Sequence, residues 1–188
     1  METIPARRPD ATTGTPSGWN PAPNAPVRSL ALSGSALYAG GYFRSIAMLP
    51  RTIAAIDLKT GQPTAWAPQV VGSGGVGPFV ISGTVAYVAG TFSNIGGADR
   101  YRLAALDLTT GLATGWNPWA SGWTSAEVRA MIRVGTTIYV GGSIWKLGDV
   151  TPHHLVAIDA VTGAILPWAP LVNDHSVYAL AASDSTIF

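Results

Sequence analysis

The sequence predicts an all-β fold made of repeated sheet units, and three observations lead to this prediction. A short phrase, Asp followed by Thr-Gly and then by Trp, recurs four times along the 188 residues. Successive tryptophans of the phrase lie 47, 50 and 52 residues apart, which is a period typical of repeat architectures. Short apolar runs bounded by turn residues follow each phrase, and no segment shows the 3.6-residue period of a helix.

The repeated phrase carries groups suited to a tight turn and a packing contact. Its four copies are Asp10–Gly14–Trp19, Asp57–Gly61–Trp66, Asp107–Gly111–Trp116 and Asp159–Gly163–Trp168. The Asp carboxylate can accept backbone N–H bonds across the turn, and Gly supplies the positive φ that such a turn requires. The Trp offers a large apolar face and one indole N–H. Because these residues recur in every unit, we interpret them as structural residues that dock neighbouring units.

Each predicted unit begins with a strand, a turn and a second strand, which is a hairpin pattern. The first strands are predicted over residues 27–32, 76–81, 128–134 and 177–182. The second strands lie around Tyr38, Tyr87, Tyr139 and Phe188. Small pairs follow at 40–41, 89–90 and 141–142, and glycine in a strand predicts a bulge or a close backbone approach.

A third strand is predicted over residues 53–57, 103–107 and 155–159, and a fourth runs from the Thr-Gly turn to the Trp. Four short antiparallel strands in about fifty residues are typical of one blade of a β-propeller. A β-sandwich is the alternative all-β fold, but it gives no reason for an internal copy of this length. The sequence therefore predicts a β-propeller.

The predicted propeller is one repeat domain over residues 1–188, with three complete blades between two half-blades. The half-blades are residues 1–21 and 171–188, and the blades are residues 22–68, 69–118 and 119–170. Three arrangements are open: one chain closes as four blades, two chains exchange halves to make eight, or the chain is part of a longer one.

The segment 4–10 bears on that choice, because Arg7, Arg8 and Pro9 stand where other units are apolar. Proline cannot donate to a strand ladder. We expect this segment to pair poorly or to be disordered, which favours a partner chain and assembly as a ring or filament.

Composition excludes several classes of function. Only 11% of residues are charged and the net charge is +1, which argues against a nucleic-acid or anionic-membrane surface. With 47% hydrophobic residues, the composition argues against a chain that is disordered as a whole. No apolar run predicts a membrane span, and the first residues lack the apolar stretch of a secretory signal. The lack of cysteine removes disulfides, thiol catalysis and zinc–thiolate sites.

The repeats also carry a family resemblance. Residues 87–97 (YVAGTFSNIGG) and 100–107 (RYRLAALD), followed by Thr110-Gly111, resemble the delta-sixty repeat, a bacterial β-propeller repeat known as a domain of unknown function. The resemblance covers the chain from about residue 10. The Asp–Thr-Gly–Trp phrase is also similar to the tryptophan-docking motif of quinoprotein dehydrogenase propellers, although the Trp here falls one residue later. The resemblance implies a propeller, commonly in secreted or surface-attached proteins, and no known activity.

A ligand site is expected where the units differ from one another. The loop after Trp116 holds two additional tryptophans, and Trp145 stands where other units have Arg44 and Ser93. Exposed tryptophans near one face predict an aromatic platform for a sugar or a partner protein. The alternative is that these rings cap the core or fill a contact between subunits. The candidate residues are Trp119, Trp123, Trp145, His153, Asp174 and His175.

Catalytic patterns are weak in this sequence. Adjacent residues on a strand point to opposite faces, so His153 and His154 are poorly placed to share a metal. In the resemblance they correspond to Tyr101 and Arg102, and we interpret them as surface replacements. The repeated aspartates occur one per unit, too dispersed for a paired acid–base site. We therefore expect no catalytic residue, no metal and no cofactor.

These observations predict a non-enzymatic structural or adhesive propeller module that assembles with itself through its terminal half-blades. The alternative function is a lectin that binds carbohydrate on the tryptophan face, and a quinone-dependent dehydrogenase is the third candidate. The alternative partners are a glycan or a surface protein, and no nucleic acid or membrane span is expected. The resemblance implies an extracellular or cell-surface location.

Overall fold

The structure is a computed structural model that describes residues 19–118, 126–144, 154–168, 170, 172, 176–183 and 186–188. Within these ranges the chain forms β-strands and no helix, so the predicted all-β class is confirmed. The strands are β1 Val27–Ser33, β2 Ala36–Gly41, β3 Ile53–Asp57, β4 Val70–Ser82, β5 Val85–Ile95, β6 Ala98–Asp99, β7 Leu103–Asp107, β8 Ala126–Val134, β9 Thr137–Ile144, β10 Leu155–Asp159, β11 Ala182–Ser183 and β12 Thr186–Ile187.

The strands form three antiparallel sheets with the same internal order, followed by a short hairpin. The first sheet is β1-β2-β3, the second is β4-β5-β7 with β6 also on β5, and the third is β8-β9-β10. The hairpin is β11-β12. A tyrosine in the central strand shows that the three registers agree. Its partners on the two sides are Ala31 and Ala55 for Tyr38, Val80 and Ala105 for Tyr87, and Ile132 and Ala157 for Tyr139.

The fourth strand of each predicted unit is reduced to one antiparallel bridge. The bridges are Ile56–Pro63, Leu106–Ala113 and Ile158–Ile165. In all three sheets the backbone N–H of the tryptophan bonds to the residue two positions earlier and not to a neighbouring strand. In the third sheet Trp168 N–H donates to the Leu166 carbonyl oxygen at 2.7 Å. In the first two sheets a threonine side chain is the acceptor. The Oγ1 atoms of Thr64 and Thr114 accept the N–H of the tryptophan two residues later at 3.2 Å. The chain therefore turns at the Trp instead of extending a ladder.

Two strand boundaries differ from the predicted ones. The strand β4 begins at Val70, six residues before the predicted start, and Val70 pairs with Ile95 at the far end of β5. The glycines that follow Val70 look like a loop in sequence, but here β5 continues far enough to pair with them. Over 177–182 only Ala182 is in a strand, because β12 is short and pairs only with Ala182 and Ser183.

Two of the hydrophobic core clusters in the described residues lie between sheets, and a third lies in the first unit, where Phe43, Ile46 and Ile56 pack with Trp19. One cluster joins Tyr38 and Ile53 of the first sheet to Phe79 and Val88 of the second. Another joins residues of the second and third sheets, including Ala89, Met131 and Val140. The third strands β3, β7 and β10 each carry four consecutive buried residues. Such runs occur in strands that are covered on both faces. We call each interface between neighbouring sheets a seam, and each seam contains one of these core clusters.

The first strand of each sheet contains a β-bulge near its start. In β1, Arg28 lies between the pairs Val27–Gly41 and Ser29–Gly40. In β8, Arg129 lies in the same way between Val128–Gly142 and Ala130–Gly141. Strand β4 has three irregularities, and the one equivalent to these two bulges follows Val76, opposite Gly90. A bulge leaves its extra residue unpaired and changes the direction of that residue's side chain. The side chains of Arg28 and Arg129 therefore do not follow the regular alternation along β1 and β8.

Equivalent positions in the first strands give a test of the seams. Phe79 is 7% exposed between the first two sheets, whereas its counterpart Leu30 is 59% exposed. We expect Phe79→Ala to lower the free energy of unfolding by about 3–5 kcal/mol. Leu30→Ala should cost less than about 1 kcal/mol in the monomer, since its side chain is mostly hydrated already. Urea unfolding followed by tryptophan fluorescence measures both, and equal costs would contradict the seam description.

Candidate functional site

The turn after each third strand is organised by its aspartate side chain. Asp57 Oδ1 accepts the N–H of Lys59 at 3.1 Å, the N–H of Thr60 at 2.7 Å and the hydroxyl of Thr60 at 2.9 Å. The same three bonds, between 2.7 and 3.0 Å, form at Asp107 and at Asp159. We name each of these a docking turn.

Hydrogen bonding to the ionised carboxylate lowers the pKa of all three aspartates. For Asp57 and Asp107 the backbone N–H of the turn threonine is the largest cause, and the threonine hydroxyl is the next. The pKa of Asp159 is lowered by the same groups of Thr162. The carboxylates therefore hold the turns best when ionised.

A glycine completes each docking turn. Gly61, Gly111 and Gly163 have φ of +71°, +75° and +76°, a region that other residues enter at a cost. The N–H of each glycine donates to the carbonyl oxygen of its own aspartate at 2.9, 2.9 and 3.0 Å. At Gly61 a side chain would also meet the indole of Trp19, whose Cδ1 would lie 3.0 Å from an added Cβ.

The indole N–H of three tryptophans, Trp19, Trp66 and Trp116, donates to the docking turn of the following sheet. Trp66 Nε1 lies 3.0 Å from the carbonyl oxygen of Asp107, and Trp116 Nε1 lies 2.9 Å from that of Asp159. Trp19 Nε1 makes the same contact with the Asp57 carbonyl at 3.4 Å. Each aspartate carbonyl thus accepts one bond from its own turn and one from the preceding unit, and this second bond ties neighbouring sheets together.

A tyrosine from the central strand contacts two of these rings, Trp66 and Trp116, edge-on. Tyr38 meets Trp66 edge-on with ring centroids 5.1 Å apart, and Tyr87 meets Trp116 at the same distance. Trp66 and Trp116 are 6% and 4% exposed. Edge-to-face aromatic pairs of this kind add stability beyond their buried area.

The last tryptophan of the series has the tyrosine, but no docking turn lies beside it among the described residues. Trp168 meets Tyr139 edge-on at 4.8 Å, yet it is only half-buried. No described residue accepts its indole N–H. We call Trp168 the open outer edge of the third sheet.

The first sheet is exposed at its first strand, whereas the third sheet is partly exposed at Trp168. At the seams, small residues of a central strand face the first strand of the next sheet: a Cβ on Gly40 would lie 3.1 Å from atoms of Val76 and Phe79. Gly141 faces Val177 and Leu180 in the same way. Within the part of the chain that the structure describes, no corresponding residues cover the first strand β1. Its residues Val27, Leu30 and Leu32, 36%, 59% and 63% exposed, form what we call the open inner edge.

A cavity of about 210 Å³ lies where the first strands of the three sheets come together. The bulged residues Arg28 and Arg129 line it, with Glu127 and two tyrosines, Tyr42 and Tyr178. The guanidinium of Arg28 lies 4.8 Å from the ring centre of Tyr42, and that of Arg129 lies 4.9 Å from the ring centre of Tyr178.

Many of the residues singled out from the sequence lie outside the described ranges. This holds for the whole aromatic platform, Trp119, Trp123, Trp145, His153, Asp174 and His175, and for Asp10 and Gly14 of the first phrase. The platform therefore stays a prediction.

The interpretation of His154 as a surface replacement is wrong. Its side chain is 2% exposed, and its Nδ1 accepts the N–H of Ile144 at 3.2 Å. The backbone N–H of His154 donates to the Ile144 carbonyl at 3.0 Å. A positive φ of 74° at His154, matched by 65° at Arg102, turns the chain so that the side chain folds back over the strand end.

The cavity arginines were not identified from the sequence, although a signal was present. The residues that follow the first-strand valines are Arg28, Gly77, Arg129 and Tyr178, so this position varies while its neighbours repeat. All four line the cavity. A position that changes between otherwise similar units is where a repeat protein can place a site.

Neither a metal-binding group of side chains nor a membrane-spanning helix is found in the part of the chain that the structure describes. No group of three or more His, Cys, Asp or Glu side chains there could hold a metal ion. None of its segments is a helix with the length and hydropathy needed to cross a membrane.

Comparison with known proteins identifies the fold and no family. No family model matches the chain. No curated protein matches it either. The computationally designed protein Ika4 is similar in structure, with a TM-score of 0.53 and 15% identity over 87% of this chain and 83% of that one.

Two larger structures are similar at a TM-score of 0.50. They are the designed protein Ika8, 15% identical, and the extracellular domain of BT4673 from B. thetaiotaomicron, 16% identical. The matches cover 86% and 84% of this chain but only 41% and 18% of those chains. At these identities the likeness shows an all-β fold alone.

The indole bond at the seam can be tested with a matched pair of variants. Trp116→Phe removes a bonded indole N–H from a buried ring and leaves a smaller side chain. We expect it to lower the free energy of unfolding by about 2 kcal/mol, of which the bond accounts for about 1 kcal/mol. Trp168→Phe, at the open outer edge, should cost less than half as much. Chemical denaturation measures both, and a larger cost at Trp168 would contradict the seam bond.

The aspartate turns predict a loss of stability in acid. Because the folded-state pKa lies below the unfolded value of about 3.9, the contribution is complete above about pH 5 and is lost as pH falls through the folded pKa. Asp107→Asn should lower stability at pH 7 and make it fall less between about pH 5 and pH 2. The control is Asp99→Asn, an exposed carboxylate outside the turns. Urea unfolding midpoints measured across this pH range test the prediction. If the midpoint of Asp107→Asn falls with pH as steeply as that of the wild type, the proposed role of the Asp107 carboxylate is refuted.

Proposed function

We propose that the chain is a β-propeller module with a structural or adhesive role, and that its copies join through the two open edges. The propeller assignment is supported by the matching registers of the three sheets and by the resemblance to the delta-sixty repeat. The observation that carries the proposal is that equivalent residues are buried at the seams and exposed at the edges.

The inner edge offers an apolar row of the kind that the seams bury. Leu30 is 59% exposed, whereas its counterparts Phe79 and Met131 are each 7% exposed. Burying one such side chain contributes about 1.5–3 kcal/mol. A central strand from another copy of this chain would cover Leu30 as β2 covers Phe79.

The outer edge offers a hydrogen-bond donor without a described acceptor. The segment 10–14 has the same Asp–Thr-Gly sequence as the three docking turns. In a second copy, this turn would accept the indole N–H of Trp168 as the Asp159 turn accepts that of Trp116. Contact through two different edges is head-to-tail, so it closes into a ring or continues as a filament.

The two edges are complementary. Next to the third sheet the inner position is filled, since Val177 and Leu180 pack on Gly141. Next to the first sheet the outer position is filled, since Trp19 packs on Gly61. Each end of the described structure therefore carries the half of a seam that the other end lacks.

The aspartates are engaged in structure and this favours a non-enzymatic role. Each of the three carboxylates accepts three hydrogen bonds from its own turn and lies apart from the others. A general acid or base needs a proton that is free to move to a substrate. We place the module at the cell surface or outside the cell, a proposal that rests on the resemblance alone.

Self-association is tested by molar mass in solution. For the wild-type chain, light scattering after gel filtration should give a multiple of 19.4 kDa. Leu30→Glu places a charge in the inner edge and should return the chain to the monomer mass. Leu112→Glu is the control, because Leu112 is equally exposed, at 59%, but lies on a turn. A wild-type mass of one chain at every concentration would overturn the proposal, as would equal effects of the two variants.

A further inference from the structure

We propose that the cavity between the first strands binds a small organic molecule through an oxyanion, a carboxylate or a phosphate, held by Arg28 and Arg129. This site goes beyond the proposed structural role, because the cavity is lined by residues of one chain and does not include the open outer edge.

The backbone brings the two arginines to this cavity. Each is the extra residue of a bulge, opposite a Gly-Gly pair of the neighbouring strand. Bulges re-aim side chains and are over-represented beside functional sites. Gly77 occupies the equivalent position in the second sheet, so the cavity has room between the two guanidiniums.

Several donors at this cavity have no acceptor in the described part of the chain. No described residue accepts a hydrogen bond from the Arg28 guanidinium, which contacts the Tyr42 ring. Arg129 Nε and Thr91 Oγ1 are both buried without a hydrogen-bond partner. Unsatisfied buried polar atoms are uncommon in folded proteins and call for an explanation. A bound oxyanion supplies acceptors for all three groups.

The charges at the cavity favour an anion. Among the described residues that line it Glu127 is the one carboxylate, and Glu127 Oε2 accepts from Arg129 Nη2 at 2.7 Å. Two guanidiniums against one carboxylate leave a net charge of +1 there. The planar guanidinium donors match the oxygens of a carboxylate or a phosphate.

The size and walls of the cavity favour an organic ligand over a bare ion. A volume of about 210 Å³ exceeds that of several water molecules, each of which takes roughly 30 Å³ of liquid. The rings of Tyr42 and Tyr178 and the side chain of Val76 give it apolar surface beside the charged groups. Binding sites for small molecules commonly combine apolar walls with a few placed polar groups.

Isothermal titration of the full chain with three probes tests the ligand class. Glucuronate and glucose are a matched pair that differ by a carboxylate, and inorganic phosphate is the third probe. We expect glucuronate to bind and glucose not to bind. Phosphate that displaces glucuronate shows that both oxyanions use the site, whereas binding of one alone identifies that source. Equal binding of glucose and glucuronate, or no binding of either anion, would overturn the proposal.

Three variants test the residues, with thermal unfolding to verify that each is folded. Arg28→Gln should weaken binding by about tenfold or more, the usual cost of lost charged hydrogen bonds. Glu127→Gln should tighten it, because the competing carboxylate is neutralised, and a merely structural role would not produce this gain. Arg133→Gln, an exposed arginine on the same strand and outside the cavity, should bind as wild type. Unchanged affinity in Arg28→Gln, or weaker binding in Glu127→Gln, would refute the assignment.

The molar mass of each variant separates this proposal from the one on assembly. If the anion fails to bind while the chain still associates, only the cavity assignment is lost. If the chain is a monomer and the anion binds, only the assembly proposal is lost.

Discussion

The carbonyl oxygen of one aspartate per sheet is the point on which the rest of the structure depends. It accepts the N–H of its own turn glycine and the indole N–H of the preceding tryptophan, at 2.9 and 3.0 Å for Asp107. The first bond needs the turn, and the turn needs the ionised carboxylate. The second bond fixes the next sheet at a set distance. Local turn chemistry thereby determines the spacing of sheets that share core clusters at their seams, so the second and third sheets are not expected to be stable alone.

Much of the fold was predictable because its signals are local. The period of the Asp–Thr-Gly–Trp phrase predicts where sheets repeat. A short apolar run on each side of a turn predicts the hairpins β1-β2 and β8-β9. The early start of β4 at Val70 was not predictable, because pairing with the far end of β5 overrides the loop character of its glycines. The reduction of the fourth strand to one bridge depends on whether the tryptophan N–H bonds locally, as to the Thr64 hydroxyl or the Leu166 carbonyl, or to a neighbouring strand. Sequence periodicity does not distinguish these two partners.

The candidate sites were predictable to a smaller extent. The seam residues follow from their recurrence, but the bond from an indole to the next sheet is a long-range contact, between Trp66 and Asp107. The cavity arginines depend on a bulge. The glycine pairs at 40–41 and 141–142 predict a bulge or a close approach, but they do not show that Arg28 and Arg129 of the facing strands are the unpaired residues. His154 looks like a surface residue because it is polar and lies in a loop, yet the turn of the backbone buries it. In each case the position of the side chain depends on contacts between distant parts of the chain, which composition does not show.

Exchange of the indole protons with solvent is the most direct measure of the central claim. In a ¹⁵N-labelled sample studied by NMR, the indole N–H signals of Trp66 and Trp116 should exchange slowly, since each is buried and bonded to an aspartate carbonyl. The signal of Trp168 should exchange rapidly in the monomer and slow down when copies associate. Rapid exchange at Trp66 and Trp116, as fast as at Trp168, would contradict the account.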